Sequence, residues 1–327
     1  MLNRRLLLQS MAAAAAPTSL VDVRAQDEFP RSKPIRWIVG YPAGGASDLI
    51  ARTVAAAMST QIGQQVVVDN RPGSSGMIAA EAAARAPGDG YTVVTVDNGM
   101  LIYNKELYRK IPYEPVKDFA SVGLIARLEF LLLANNDAPL QSATDFVDAV
   151  RKSPGKYSYG SPGIGSPHNL AMEMLKDRNK LFAVPIHYRG GAPMISDLFG
   201  GHIQYMVLDL ASALPSLKTK KMRPLAVFSR KRLAAFPDVP TVFELGLADV
   251  DAVAWQGLAV PASTPLPVRQ RLSAELVKAM GSPEMRAKFA DLGLEAMPGG
   301  SAEMKSLWDS DQKYWSQLIR ARKISAE

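Results

Sequence analysis

The chain has 327 residues, 47% hydrophobic and 21% charged, a globular composition whose length suits one or two domains. It contains no cysteine, which excludes disulfides, thiol catalysis and Cys-based zinc or iron–sulfur sites, and its three histidines (His168, His187, His202) lack metal-ligand spacing. Of the formal charge of +7, Arg4, Arg5 and Arg24 against Asp22 account for +2; the remaining +5 is dispersed and without interleaved aromatics, so it does not make a nucleic-acid surface.

The N-terminal stretch "MLNRRLLLQSMAAAAAPTSLVDVRAQ" reads as a signal peptide over residues 1–25. It has a basic start, a Leu/Ala apolar segment and Val23-Arg24-Ala25 before Gln26, and is too short to span a bilayer, which needs about 20 apolar residues. Arg4-Arg5 followed by "LLLQ" is similar to a twin-arginine signal, although Asn3 precedes it, so the export route (general secretory or twin-arginine) is left open. "IRWIVG" (Ile35–Gly40) then reads as a buried strand, "YPAGGASD" (Tyr41–Asp48) as a bare loop, and the next segment as a helix with Leu49, Ile50, Thr53, Val54, Ala57 and Met58 on one face. "QQVVVDN", "YTVVTVDN", "KYSYGS", "HIQYMVLD" and "RPLAVFS" read as strands, with helices at "MIAAEAAARA" and "ATDFVDAVRKS". "KTKKMR" (Lys218–Arg223), the one basic cluster, reads as a solvated turn. From Pro265 onward two long amphipathic stretches predict a helical end that packs back on an earlier lobe. Alternation of this kind predicts α/β layers with mostly parallel sheets, and no fixed-period repeat interrupts it.

The unit of strand, bare loop and helix occurs twice, near Ile35 and again in "KYSYGSPGIGSPHNLAMEMLKDR" (Lys156–Arg178). Loops at the carboxyl ends of strands are where open α/β sheets bind ligands. Helix N-termini carry unpaired N–H groups and partial positive charge, and glycine lets backbone approach a ligand closely, so both loops can seat a carboxylate or a phosphate. Asp48 and Ser166 have the residue types of N-caps, and Arg52 is spaced to pair with Asp48. "GSPGIGS" lacks the Lys-Ser/Thr ending of a P-loop, and "GIGSPH" has His168 where a dinucleotide fingerprint needs its third glycine. No G-x-S-x-G elbow or H-E-x-x-H is present, and Ser166 and His168 are two residues apart, where helical side chains do not face each other.

Together "YPAGGASDLIAR", "VVVDNRPGSSGMIAAE", "DGYTVV", "YGSPGIGSPHNLAMEML", "YRGGAPMISDLFGGHIQYMVLD", "FPDVPTVFELGL" and "WQGLAVPASTP" resemble the exported solute receptors of tripartite tricarboxylate transporters, the Bug family, from about Pro34 to the end. The resemblance implies an α/β protein with the two-lobed type II periplasmic-binding-protein (Venus flytrap) fold, mixed sheets flanked by helices and a helical C-terminus. It places lobe 1 at residues 26–127 plus 252–327 and lobe 2 at 128–251, with crossings near Arg127 and Asp251. It implies a monomeric periplasmic receptor, not an enzyme, that uses no cofactor or metal, binds no nucleic acid, and delivers a small organic acid to membrane permease subunits. The site it implies comprises Tyr41, Ala43, Gly44 and Asp48 from the first loop and Ser161, Gly163, Gly165, Ser166 and His168 from the second. Tyr188 and Asp209 match further cleft positions, Met77 and Asn98 match the cleft wall, and Trp255 falls at the hinge. Arg189 stands where the family often has Lys, and Pro162 and Pro167 remove two N–H donors from the second loop. Two other functions stand beside this one: a sensory receptor presenting its liganded form to a membrane signalling protein, and a secreted serine hydrolase using Ser161 or Ser166.

Overall fold

The computed structural model describes residues 29–249 and 251–326; the signal peptide read in residues 1–25 lies outside them. The chain order is β1 (Ile35–Val39), α1 (Ala46–Ile62), β2 (Val66–Asn70), α2 (Met77–Ala84), β3 (Thr92–Asp97), β4 (Phe119–Leu128), β5 (Phe130–Asn135) and α3 (Ala143–Lys152). It continues with β6 (Ser158–Ser161), α4 (Pro167–Asn179), β7 (Val184–His187), α5 (Gly191–Phe199), β8 (Tyr205–Asp209), α6 (Leu210–Lys218) and β9 (Met222–Val227). It ends with β10 (Ala254–Pro261), α7 (Leu266–Gly281), α8 (Pro283–Asp291), β11 (Glu295–Ala296) and α9 (Ser301–Ala321). Short helical turns at Gly99–Tyr103, Asn104–Leu107 and Pro115–Asp118 lie between β3 and β4.

The strands form a six-stranded sheet, β11-β4-β10-β3-β1-β2, and a five-stranded sheet, β7-β6-β8-β5-β9. Each contains one of the two units read from sequence: β1 pairs parallel with β2 and β3, and β6 pairs parallel with β7 and β8. The sheets are mixed, because β10 runs antiparallel between β3 and β4, and β5 antiparallel between β8 and β9. The sequence pattern predicted mostly parallel sheets because it did not separate out β4, β5 and β10. All eight positions of β10 are buried, so its side chains show no in–out alternation to mark it as a strand. The chain leaves the first sheet at Leu128, enters the second at Phe130, and returns between β9 and β10.

In β1, Ile35, Trp37, Ile38 and Val39 are all buried, and the Trp37 indole N–H donates to Thr95 Oγ1 at 2.8 Å, so these residues carry no unpaired polar side-chain atom into the core. Helix α1 buries Ile50, Ala51, Val54, Ala55 and Met58, while Leu49 is exposed. The inward face is thus rotated from the predicted one toward Ala51 and Ala55, whose small side chains let the helix lie close to the sheet. Gly63 closes α1 at φ +72, a left-handed C-cap that β-carbon sterics disfavour for other residues. Helix α9 packs back on the first sheet through Met304, Trp308, Trp315 and Ile319, as the C-terminal pattern predicted.

Where the chain passes between sheets, Arg127 lies 2.6 Å from Glu129 and 3.7 Å from both Asp251 and Glu295. Nearby, Asp311 of α9 accepts from Trp255 Nε1 at 2.8 Å and from Asn98 Nδ2 at 2.9 Å. Burial raises the Asp311 carboxyl to about 6, against the lowering pull of these donors and of Arg127. A carboxyl whose folded pKa exceeds its unfolded value is more favourable when protonated. Its contribution is therefore fully present below about pH 4 and lost as pH rises through 6. Asp311→Asn keeps an acceptor for both donors without the charge. Between pH 4 and 7 the unchanged protein is expected to lose up to about 3 kcal/mol relative to this variant. Urea midpoints of both proteins at pH 4, 5, 6 and 7 measure the difference; parallel curves would show that Asp311 does not titrate in this window.

Candidate functional site

The loop after β1 is a tight turn, in which the Gly45 N–H donates to the Pro42 carbonyl at 3.3 Å and Gly44 sits at φ +80. The loop after β6 has the same frame: the Ser166 N–H donates to the Gly163 carbonyl at 3.3 Å and Gly165 sits at φ +64. In each, the glycine N–H is taken by a side chain four residues on, Gly44 by Asp48 Oδ2 at 2.9 Å and Gly165 by Asn169 Oδ1 at 3.0 Å. The two loops are therefore structural twins, and the pattern Gly-x-x-x-Asp/Asn was present in the sequence as "GGASD" and "GSPHN".

These bonds correct two expectations. The amides of Gly44 and Gly165 are engaged within the protein. Among the described residues, the loop amides without a protein partner include those of Ala43 and Ile164, the second residue of each turn, together with Tyr41 and Gly163 and with Ala46, Ser47, Asp48 and His168 at the helix starts. Asp48 is the third residue of α1, not its N-cap; the cap is Gly45, with no side-chain hydrogen bond. Its carboxylate instead reaches back to Gly44 and also accepts from Arg52 Nε at 3.0 Å and Asn70 Nδ2 at 2.9 Å. The Arg52 hydrogen bond, with Gly44 and Asn70 assisting against the cost of burial, lowers Asp48 to about 2. Ser166 is the N-cap of α4, accepting from the Asn169 N–H at 3.2 Å.

Tyr41 anchors the first loop rather than offering it a free hydroxyl. Its O–H donates to Asp97 Oδ2 at the end of β3, and its carbonyl accepts from Asn70. Burial pushes both the Tyr41 hydroxyl and the Asp97 carboxyl up, so the phenol stays a donor. Ser47 Oγ accepts from Gln256 Nε2 of β10, tying the start of α1 to the sheet. The residues predicted around the second loop come together at the end of β6. The Tyr188 N–H donates to the Ser161 carbonyl at 2.8 Å, and Ser161 and Ser166 both donate to the Gly163 carbonyl. His168 Nε2 lies 3.2 Å from Asp209 Oδ2, with its ring against Phe130 and its Nδ1 buried without a partner. Asp209 is itself the N-cap of α6, accepting from Ser212. Burial raises its carboxyl, but the bonds from His168 and Ser212 outweigh it and the net direction is down. The Tyr188 hydroxyl turns away to Asp197 at 2.8 Å.

Met77 is half-buried at the start of α2, after a loop held by Asn104 Nδ2 on the Ser75 carbonyl. Asn98 is fully buried: its Oδ1 accepts from the Trp255 N–H and its Nδ2 donates to Asp311, so it knits β3, β10 and α9 together instead of lining an open wall. A serine nucleophile gains nothing here, since Ser166 Oγ is committed to Gly163 and Asn169 and His168 is directed at Asp209. Sequence reasoning missed Asn70, Asp97, Asn169, Gln256 and Leu107. Asn70, Asp97 and Asn169 lie in segments already singled out, and Gln256 in the quoted "WQGLAVPASTP"; Leu107 lies in none of them.

The two loops are not in isolated halves. A β-carbon added at Gly165 would lie 2.2 Å from Leu107 Cδ1, so the second loop rests on the Asn104–Leu107 turn between β3 and β4. A separate groove of about 570 Å³ lies between β4, α7 and the start of α9, lined by Ser121, Arg269, Ser273, Lys278 and Ser301, and involves neither loop. Among the described residues no cluster of metal-ligating side chains occurs, and no helix is long and apolar enough to cross a membrane.

The family described as tripartite tricarboxylate transporter family receptor matches residues 50–324. A UPF0065 protein in the tcbD-tcbE intergenic region of Pseudomonas sp. (strain P51) is 36% identical across 99% of this chain and 96% of its own length. The structure of R. palustris Rpa4515 with adipate is similar with TM-score 0.83 and 30% identity, covering 91% of this chain and 99% of that one. MatC from Rhodopseudomonas palustris with bound malate is similar with TM-score 0.77 and 27% identity, covering 89% of this chain and 100% of that one.

Proposed function

Since the chain belongs to the tripartite tricarboxylate transporter receptor family, whose members are solute-binding receptors rather than enzymes, we propose that it captures a small organic carboxylate between the Tyr41–Asp48 and Ser161–His168 loops. The observation that carries this reading is the pair of twin turns, each with its second amide unpaired beside a helix N-terminus. Ala43 and Ile164 donate to the ligand carboxylate, with Ala46, Ser47 and His168 N–H groups around it. Asp48, Tyr41, Ser161, Gly163, Gly165 and Ser166 hold the two jaws in shape, Asp209 orients His168, and Met77 and Tyr188 form the wall.

Arg52, which reaches the first loop, is already paired with Asp48 and Asn70. The ligand's charge thus meets backbone dipoles, which recognise a carboxylate without fixing the rest of the molecule. The two related structures hold adipate and malate, both dicarboxylates, which makes this class the first to test. The lobes divide at residues 26–127 plus 252–327 and 128–251 and close about the crossings by hinge motion. In the periplasm the closed form docks on the membrane permease subunits of a tripartite transporter.

A panel of mono-, di- and tricarboxylates, aromatic acids included, is expected to contain at least one compound that raises the melting temperature. At a hundredfold excess over Kd the stabilisation is about 2.7 kcal/mol. No response from any carboxylate, with a response to an uncharged solute instead, would refute the reading.

A further inference from the structure

The two jaws are held in different ways. Asp48, which fixes Gly44, is itself held locally, by Arg52 of the same helix and Asn70 of the neighbouring strand. Asn169, which fixes Gly165, is the first link of a buried chain that ends on the other sheet's side of the molecule. Its Nδ2 donates to the Tyr159 hydroxyl at 3.1 Å, and that hydroxyl donates to Glu173 Oε1 at 3.2 Å. The other carboxylate oxygen, Glu173 Oε2, accepts from Arg322 Nη2 at 3.2 Å. Every bond from Gly165 onward runs donor to acceptor toward the Glu173 carboxylate, so the polarity is consistent from end to end. Burial keeps the Tyr159 hydroxyl protonated and able to act as the middle link.

Arg322 is the C-cap of α9, which packs on the first sheet. The same C-terminal segment clamps the turn on which the second jaw rests. Arg320 makes two 2.7 Å bonds to Glu106, and the Ala326 N–H donates to the Leu107 carbonyl at 3.1 Å. Leu107 is the residue that meets Gly165. One short stretch of chain therefore holds the second jaw from both sides, through Leu107 beneath it and through Glu173 behind it.

We propose that Arg322 is a positioning residue for the second jaw, setting Gly165 against Leu107 through Glu173, Tyr159 and Asn169. The inference rests on reading Ser161–His168 as a ligand jaw, but its test does not require a ligand. Glu173 and Lys176 are both buried and lie 2.5 Å apart, so removing Arg322 leaves Glu173 paired. Arg322 also lies 3.5 Å from the half-exposed Asp177, which water can solvate in its place.

Hydrogen exchange of the ligand-free protein, resolved to the segments 42–48 and 162–169, provides the test. Arg322→Gln is expected to speed exchange of 162–169 by about tenfold, the scale of one hydrogen bond to a charged group, and to leave 42–48 unchanged. Arg322→Lys restores slow exchange by keeping a cation on Glu173. Tyr159→Phe, which cuts the chain in the middle without altering charge, speeds the same segment. Unchanged exchange of 162–169 in both Arg322→Gln and Tyr159→Phe overturns the proposal, and so does equal acceleration of both segments, which would mark a general loss of stability. Neither failure bears on carboxylate binding itself, which the ligand panel tests independently.

Discussion

Replacing Asp48 by alanine is expected to reduce carboxylate affinity by roughly a hundredfold or more, because the first jaw loses the acceptor that closes its frame. The Asp48 carboxylate is buried and receives three donors, the Gly44 N–H, Arg52 Nε and Asn70 Nδ2. Without it, Gly44 has no acceptor for its amide, and Gly44, whose φ of +80 is accessible to glycine without strain, is free to leave the turn. The ordering of the loop then has to be supplied by ligand binding itself, at the expense of affinity. Arg52 is half exposed and regains water, so the stability cost is smaller than three buried bonds would give, about 2–3 kcal/mol at pH 7. Because the folded pKa is depressed to about 2, this contribution is complete above pH 4 and disappears as pH falls through 2. Calorimetric titration and urea melts at pH 7 and pH 3 read the two effects separately. Unaltered affinity with lowered stability would make Asp48 a packing residue only.

Gly165→Ala is expected to act as strongly on the second jaw, by a different route. Its φ of +64 is strained for alanine, and the new β-carbon would lie 2.2, 2.8 and 3.0 Å from Leu107 Cδ1, Cδ2 and Cγ, in a side chain that is itself buried and has little room to turn away. The left-handed backbone costs about 1–2 kcal/mol and the overlap adds about 1–3 kcal/mol. The loop relieves both by lifting off the Asn104–Leu107 turn, and Ile164 leaves with it. The two contributions separate in a double variant. Leu107→Ala added to Gly165→Ala should recover the steric part of the lost affinity and leave the backbone part. Additive losses in the cycle would show that Leu107 and Gly165 do not share a contact that matters for binding.

Much of the fold was readable because the parallel units carry local signals. Short strands, glycine-rich loops and helices follow one another within about 30 residues, and the twin loops share a spacing that survives differences in residue type. Three of the strands that pair antiparallel, β4, β5 and β10, were not readable, since they are buried on both faces and carry no period that marks them. The same limit applies to the site. Tyr41 and His168 were singled out as residue types in a loop, yet their roles depend on partners far away in sequence. Tyr41 finds Asp97 across 56 residues, His168 finds Asp209 across 41, and Asn98 is drawn into the core by Asp311 across 213. Glycine amides in a bare loop invite the inference that they face a ligand. Only the hydrogen bonds themselves show that the glycine in each turn is spent on the frame and that its predecessor is left unpaired.

The central claim is that a carboxylate is held by the amides of the two twin turns. Backbone amide chemical shifts of 15N-labelled protein, followed during titration with the panel compound that raises the melting temperature most, test it directly. Ala43 and Ile164 are expected to show the largest downfield changes, saturating together, with Ala46, Ser47 and His168 following. Shifts concentrated instead around Arg269, Ser273 and Lys278 in the groove beside α7, with both turns unmoved, would contradict it.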